Sequence, residues 1–215
     1  MGAGRAMGVP SSLAGAAACA LLLVLGGAAP AQTSKRSAAE LMDAVMWNRE
    51  PIGGPFQLTD QSGKVRSERD FRGKLMLVYF GFTYCPDICP TDLQAIGLAM
   101  DKLGADADDV QPLFITVDPE RDMREHLADY VTMFHPRLLG LTGSAEEVQN
   151  AADAYRVYYK RVDFDNGDGT YTVDHSAFIY LMDRDGKYLG FFPPGTSADR
   201  MVEIIRPHLG EPISR

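Results

Sequence analysis

Apolar residues follow two rhythms along this chain, and the switches between them mark its elements. Leu75-Met76-Leu77-Val78-Tyr79-Phe80-Gly81-Phe82 is a nearly unbroken apolar run, the pattern of a strand covered on both faces. Leu113-Phe114-Ile115-Thr116-Val117 predicts a second buried strand. Between them, over residues 91–103, Leu93, Ile96, Met100 and Leu103 recur at helical spacing. Further helices are predicted over 123–134 and 144–155. The latter opens with Ser144 and has Glu147 three residues on, the signature of a capping box. A short strand over 138–141 fits between these helices. Residues 176–182 and 188–192 flank Asp183-Arg184-Asp185-Gly186 and read as a hairpin, and a last helix covers 198–209. Ahead of all this, Phe56-Gln57-Leu58-Thr59 and Lys64-Val65 alternate around Asp60-Gln61-Ser62-Gly63, a smaller hairpin.

Strand, helix, strand, then hairpin and helix predict an α/β sandwich. The order is that of a thioredoxin-like fold, with a mixed central sheet flanked by helices and an N-terminal hairpin. Residues 56–215 form this domain. Residues 32–55 read as a polar tether with an amphipathic piece over 38–47, ending at Pro51-Ile52-Gly53-Gly54-Pro55.

The first 31 residues carry only one charge, Arg5, before an apolar run that includes Leu21-Leu22-Leu23-Val24-Leu25. Ala29-Pro30-Ala31 then fits a small-x-small cleavage site. The run is shorter than the roughly 20 residues of a spanning helix. Both a cleaved signal peptide and a retained membrane anchor stay open, and both send the folded part out of the cytoplasm. The expected location is therefore extracytoplasmic, the bacterial periplasm, either soluble or anchored to the inner membrane.

Composition changes the picture in two ways. With 46% apolar residues, the 215-residue chain can bury a core without covalent staples. A net charge of -8 repels nucleic acid phosphates and gains nothing from an anionic membrane surface, so nucleic acid is excluded as a partner. Of three cysteines, Cys19 sits inside the leader and reads as a small apolar residue. The mature chain keeps Cys85 and Cys89, which in an oxidising compartment make a disulfide, a redox couple or a metal site.

These cysteines stand in Gly81-Phe82-Thr83-Tyr84-Cys85-Pro86-Asp87-Ile88-Cys89-Pro90-Thr91, at the carboxyl end of the first buried strand. Ligands bind at that end of open α/β sheets. If the stretch coils, positions i and i+4 fall on one side. Pro90 suits the first position of the following helix, whose amino end favours thiolates. Three residues separate the cysteines, one more than in thioredoxin-type redox motifs. The wider spacing permits a disulfide and also lets two sulfurs converge on an ion. Soft thiolates favour Cu(I), and imidazole is an acceptable copper ligand.

Four histidines are available for a third ligand. His126, His135 and His208 fall inside or at the ends of predicted helices and fit surface or capping roles. His175 immediately precedes the predicted strand over 176–182, in a loop that a thioredoxin-like sheet turns toward the cysteines. Its neighbour Asp174 should point the other way. An incidental strand-edge histidine is the plain alternative.

The cysteine segment resembles the signature of the Sco/SenC copper proteins. So do Val117-Asp-Pro-Glu-Arg-Asp122, Phe134-His-Pro-Arg137, Leu141-Thr-Gly143, Tyr155-Arg-Val-Tyr-Tyr159 and Val173-Asp-His-Ser-Ala177. The blocks recur in order from about Phe56 onward. The resemblance implies a thioredoxin-like fold and copper, as Cu(I) or Cu(II), held by Cys85, Cys89 and His175. It implies a role in building the dinuclear copper centre of cytochrome c oxidase subunit II, by handing over copper, by reducing its cysteines, or both. A copper carrier outside the cytoplasm also needs an extracytoplasmic copper donor. Tyr84 stands where relatives often carry histidine, which weakens any case for a fourth ligand there.

Other readings compete. A thiol-disulfide reductase would use Cys85 and Cys89 as a redox-active pair, with Cys85 attacking, and would not need His175. A peroxiredoxin-like peroxidase would carry threonine three residues before its reactive cysteine, whereas Thr83 precedes Cys85 by two. Asp118 follows the second buried strand and is a candidate for support near the metal, and Asp122 for capping the next helix. A calcium loop at Asp163-Phe-Asp165-Asn-Gly-Asp168-Gly169 fails because Asp168 occupies the position that needs glycine, so turn chemistry explains it.

Overall fold

The computed structural model describes residues 51–165 and 169–210. The expectations for the leader and for most of the tether lie outside the described residues. The folded part is a mixed sheet with helices packed on it, the thioredoxin-like arrangement that the order of elements predicts.

The strands are β1 (Gln57–Asp60), β2 (Val65–Ser67), β3 (Leu75–Gly81), β4 (Val110–Thr116), β5 (Leu139–Thr142), β6 (Tyr159–Asp163), β7 (Tyr171–His175), β8 (Ile179–Met182) and β9 (Tyr188–Phe192). Seven of them form one sheet in the order β2-β1-β5-β4-β3-β8-β9. β3, β4 and β5 run parallel, while the pairs β1–β2, β1–β5, β3–β8 and β8–β9 are antiparallel. All seven residues of β3 are buried, as its unbroken apolar run requires. Gly81, its last residue, pairs with Thr116, the last residue of β4. Both central parallel strands therefore end at the same edge.

The helices are α1 (Ile88–Leu103), α2 (Arg124–Thr132), α3 (Ala145–Ala154) and α4 (Ala198–Leu209). Cys89, Leu93, Ile96 and Met100 form the buried stripe of α1, and α4 packs against this helix. α2 lies on β5, where Gly140 leaves room for Val131 and Leu127. At α3 the predicted capping box is present: the Ser144 hydroxyl accepts from the Glu147 amide at 3.2 Å, and the Glu147 carboxylate accepts from the Ser144 amide at 2.7 Å.

Three elements differ from their predicted form. α1 begins at Ile88 rather than at residue 91, so Cys89 and Pro90 lie in its first turn. Proline is tolerated there because that turn's N–H groups have no intrahelical acceptor. The strand expected from residue 176 begins at Ile179, because Ser176 is engaged elsewhere: its amide donates to the Tyr158 carbonyl at 2.9 Å. The two-stranded ribbon of β6 and β7 has no counterpart in the apolar pattern. β6 is exposed over four of its five residues, so no buried alternation marks it. The turn reading falls on residues 166–168, which lie outside the described residues; beside them the Phe164 amide donates to the Thr170 carbonyl at 3.0 Å.

Candidate metal centre

The site is assembled at the edge where β3 and β4 end. Phe82 to Asp87 form the loop that leaves β3, and Cys89 follows in the first turn of α1. Gly81 makes the close packing possible. A Cβ there would lie 2.9 Å from Cys89 Sγ and 2.9 Å from the Phe114 ring. Only a residue without that carbon lets the sulfur sit against the strand end.

Asp122 holds the loop in place. Its carboxylate accepts from the Thr83 amide at 3.0 Å, the Thr83 hydroxyl at 2.6 Å and the Thr116 hydroxyl at 2.6 Å. It does not cap α2 as predicted: the N-cap position is Met123, whose side chain makes no capping hydrogen bond, and Asp122 is fully buried and turned inward. Burial pushes its carboxyl pKa up, against the pull of these three donors.

Cys85, Cys89 and His175 come together. One donor atom from each lies within 4.8 Å of the others, and Cys89 Sγ is 3.4 Å from His175 Nε2. Both thiols are free of disulfide. His175 is the last residue of β7, and its ring stands edge-on to Phe82 and Tyr79, with centroids 5.8 and 6.5 Å away. Its Nδ1 is 3.1 Å from the Ser176 carbonyl. A carbonyl can only accept, so that contact puts the ring proton on Nδ1 and leaves the Nε2 lone pair facing the sulfurs. Asp174 is exposed and points away, as strand alternation requires.

The two thiols are electrostatically unequal. Hydrogen bonding from Cys89 is the largest influence on Cys85. With further donors in the Asp87 and Cys89 amides, it outweighs desolvation and holds the Cys85 pKa down to about 3. Cys89 moves the other way: the bond to Cys85 and its own burial keep it protonated. The half-buried sulfur is thus a thiolate and the fully buried one a thiol.

Around a zinc-sized ion, with bonds of roughly 2.0–2.3 Å, three trigonal donors stand about 3.7 Å apart. The observed set is within small side-chain adjustments of that triangle. Two thiolates and one imidazole suit a soft ion of low coordination number.

Asp118 is buried, but its carboxylate is committed to Arg121, at 2.5 Å, and to the Tyr171 hydroxyl, at 2.9 Å, rather than to the donors. His126 is exposed and stacks on Tyr84, with ring centroids 5.3 Å apart. His135 accepts from the Arg137 amide through Nδ1, and His208 lies in the last turn of α4. None of these three joins the cluster found among the described residues.

Sequence reasoning passed over two buried polar residues beside Cys89. Asp92 is fully buried, with one oxygen accepting from the Gly195 amide at 2.9 Å, and burial raises its pKa. The Tyr79 hydroxyl lies toward Asp92 and Cys89 but outside hydrogen-bonding geometry, and burial raises its pKa too. Both left a signal. Asp92 is an acid on the buried stripe of α1, and Tyr79 brings a hydroxyl into an otherwise apolar strand.

Comparison with known proteins places this geometry. The SCO1/SenC family model matches residues 45–210. "Protein SCO2 homolog, mitochondrial" of Mus musculus is 51% identical over 158 residues, which are 73% of this chain and 62% of that protein. The match thus spans less than two thirds of the mouse protein. The solved structure of Bradyrhizobium japonicum ScoI with copper bound is 44% identical, with a TM-score of 0.68 over 73% of this chain and 99% of that one. A second structure belongs to a member of the Sco family of cytochrome c oxidase assembly proteins in which a disulfide switch was identified. It is 26% identical, with a TM-score of 0.56 over 74% of this chain and 96% of the other.

Proposed function

The chain belongs to the SCO1/SenC family, and on that premise we propose that it carries one copper ion between Cys85, Cys89 and His175 and delivers it to the dinuclear copper centre of cytochrome c oxidase subunit II. The observation that carries the reading is the convergence of two sulfurs and an imidazole nitrogen within 4.8 Å, in a relative of a protein whose structure was solved with copper bound. Cys85, half-buried and already a thiolate, receives the ion first. Cys89 gives up its proton to become the second ligand, and His175 Nε2 completes the set without a proton change. Transfer runs by exchange, with a partner's cysteines replacing these donors one at a time. The leader over residues 1–31 supports an extracytoplasmic site of action, where a separate donor supplies the copper.

The test is a Cu(I) titration of the protein against a competing chelator. One ion per chain is expected. His175→Ala should weaken binding sharply and Cys85→Ser or Cys89→Ser should abolish it. Unchanged affinity in His175→Ala would remove the histidine from the site.

The inequality of the thiols favours a second activity. A half-buried thiolate beside a fully buried thiol is the arrangement of an attacking and a resolving cysteine. Cys85 attacks a partner disulfide and releases one partner thiolate. Cys89, losing its proton, then attacks the mixed disulfide and releases the second. The partner gains two electrons, the pair here becomes a disulfide, and an external dithiol must reduce it again. If oxidase assembly survives His175→Ala but not Cys85→Ser, reduction is the dominant role.

A further inference from the structure

The two parts of the site belong to different bodies of the fold. Both sulfurs are fixed to the seven-stranded sheet through β3 and α1, while the imidazole stands at the end of the separate β6–β7 ribbon. Arg121, in the turn after β4, bridges them. Its Nε pairs with Asp118 at 2.5 Å, and its Nη1 donates to the Tyr171 carbonyl at 3.0 Å, on the first residue of β7. Its guanidinium lies over three rings. Tyr171 is 3.7 Å from the guanidinium carbon, Tyr84 4.8 Å and Phe82 5.8 Å, and these last two belong to the cysteine loop. The Tyr171 hydroxyl closes the circuit on Asp118 at 2.9 Å.

We propose that Arg121 is the positioning residue of this centre: by clamping the β6–β7 ribbon to the cysteine loop it keeps the His175 imidazole within bonding reach of Cys85 and Cys89, and so sets how tightly copper is held. The proposal rests on the copper-site reading above. An ordinary surface ion pair would have no such leverage. This one is mostly buried, with side-chain exposures of 23% for Arg121 and 5% for Asp118. The planar guanidinium also stacks while it donates in two directions, which an ammonium cannot do. Arg161 strengthens the ribbon side, its guanidinium carbon 3.6 Å from the centroid of the Tyr171 ring and its Nη1 3.5 Å from Glu120.

The experiment is a double-substitution cycle in Cu(I) affinity with His175→Ala, Arg121→Met and the combined variant. Arg121→Met should weaken binding by about 10- to 100-fold, the range for groups that orient a ligand. The combined variant should bind no more weakly than His175→Ala alone, because the clamp has no ligand left to position. Losses that multiply in the combined variant, or no loss in Arg121→Met, would overturn the proposal. Without metal, the nuclear Overhauser contact between the His175 and Phe82 rings should fade in Arg121→Met, and its persistence would also sink the idea. Should Arg121→Met not fold, Tyr171→Phe takes its place in the cycle. It removes only the hydroxyl and should show a smaller loss with the same non-additivity; additive losses there count against the clamp. Failure of the unsubstituted protein to bind copper would instead refute the copper-site reading, while the ring contact still reports on the clamp.

Discussion

At the scale of single residues, the site depends on a missing carbon and a displaced proton. Gly81→Ala inserts a Cβ 2.9 Å from both Cys89 Sγ and the Phe114 ring, so one of them must move. The expected outcome is a folded protein with weakened Cu(I) binding, read by the same chelator competition. Because the Cys85 pKa is held near 3, its thiolate persists when pH falls from 7 to 5, where an ordinary thiol would be protonated. Alkylation by iodoacetamide should therefore label one cysteine per chain at nearly equal rates at those two pH values, and peptide mapping should find the label on Cys85. A rate that drops about tenfold per pH unit would contradict the low pKa. Cys85 and Cys89 were legible from their spacing, and His175 from its place before a strand. Asp122 was misread because a sequence shows that an acid precedes a helix but not which way its carboxylate turns. Here the hydroxyls of Thr83 and Thr116 offered a better partner than the helix end.

At the scale of elements, the stability of the cysteine loop and that of the helices separate cleanly. Asp122→Ala leaves the Thr83 amide and two buried or half-buried hydroxyls without an acceptor. At roughly 1–3 kcal/mol per unsatisfied group it should cost on the order of 3 kcal/mol, measurable by urea unfolding. Ser144→Ala, in the capping box of α3, should cost about 1 kcal/mol and leave copper affinity untouched. Elements with a buried face were readable: β3, α1, α3 and α4 appear within a few residues of their predicted bounds. The β6–β7 ribbon was not, because its order comes from Arg121, from the Tyr159 hydroxyl donating to Gln149 at 3.0 Å, and from Val173, rather than from an apolar stripe. No periodicity records such contacts.

At the scale of the whole molecule, a ligand that binds only the folded chain must raise its stability. Copper in excess of about 100 times its dissociation constant should add roughly 2.7 kcal/mol, seen as a higher melting temperature. That gain should vanish when Cys85 and Cys89 are both replaced by serine. No helix among the described residues is long and apolar enough to cross a membrane.

The ribbon stands apart from the sheet that carries the sulfurs, and this separates two free energies that most metal sites share. Local fraying of a two-stranded arm, exposed along β6, costs less than unzipping a sheet whose central strand is wholly buried. Deuterium should accordingly enter the amides of residues 159–163 long before those of residues 75–81. A cargo gripped partly by such an arm leaves when the arm lifts, at a rate tuned by a hinge, while the core beneath stays intact.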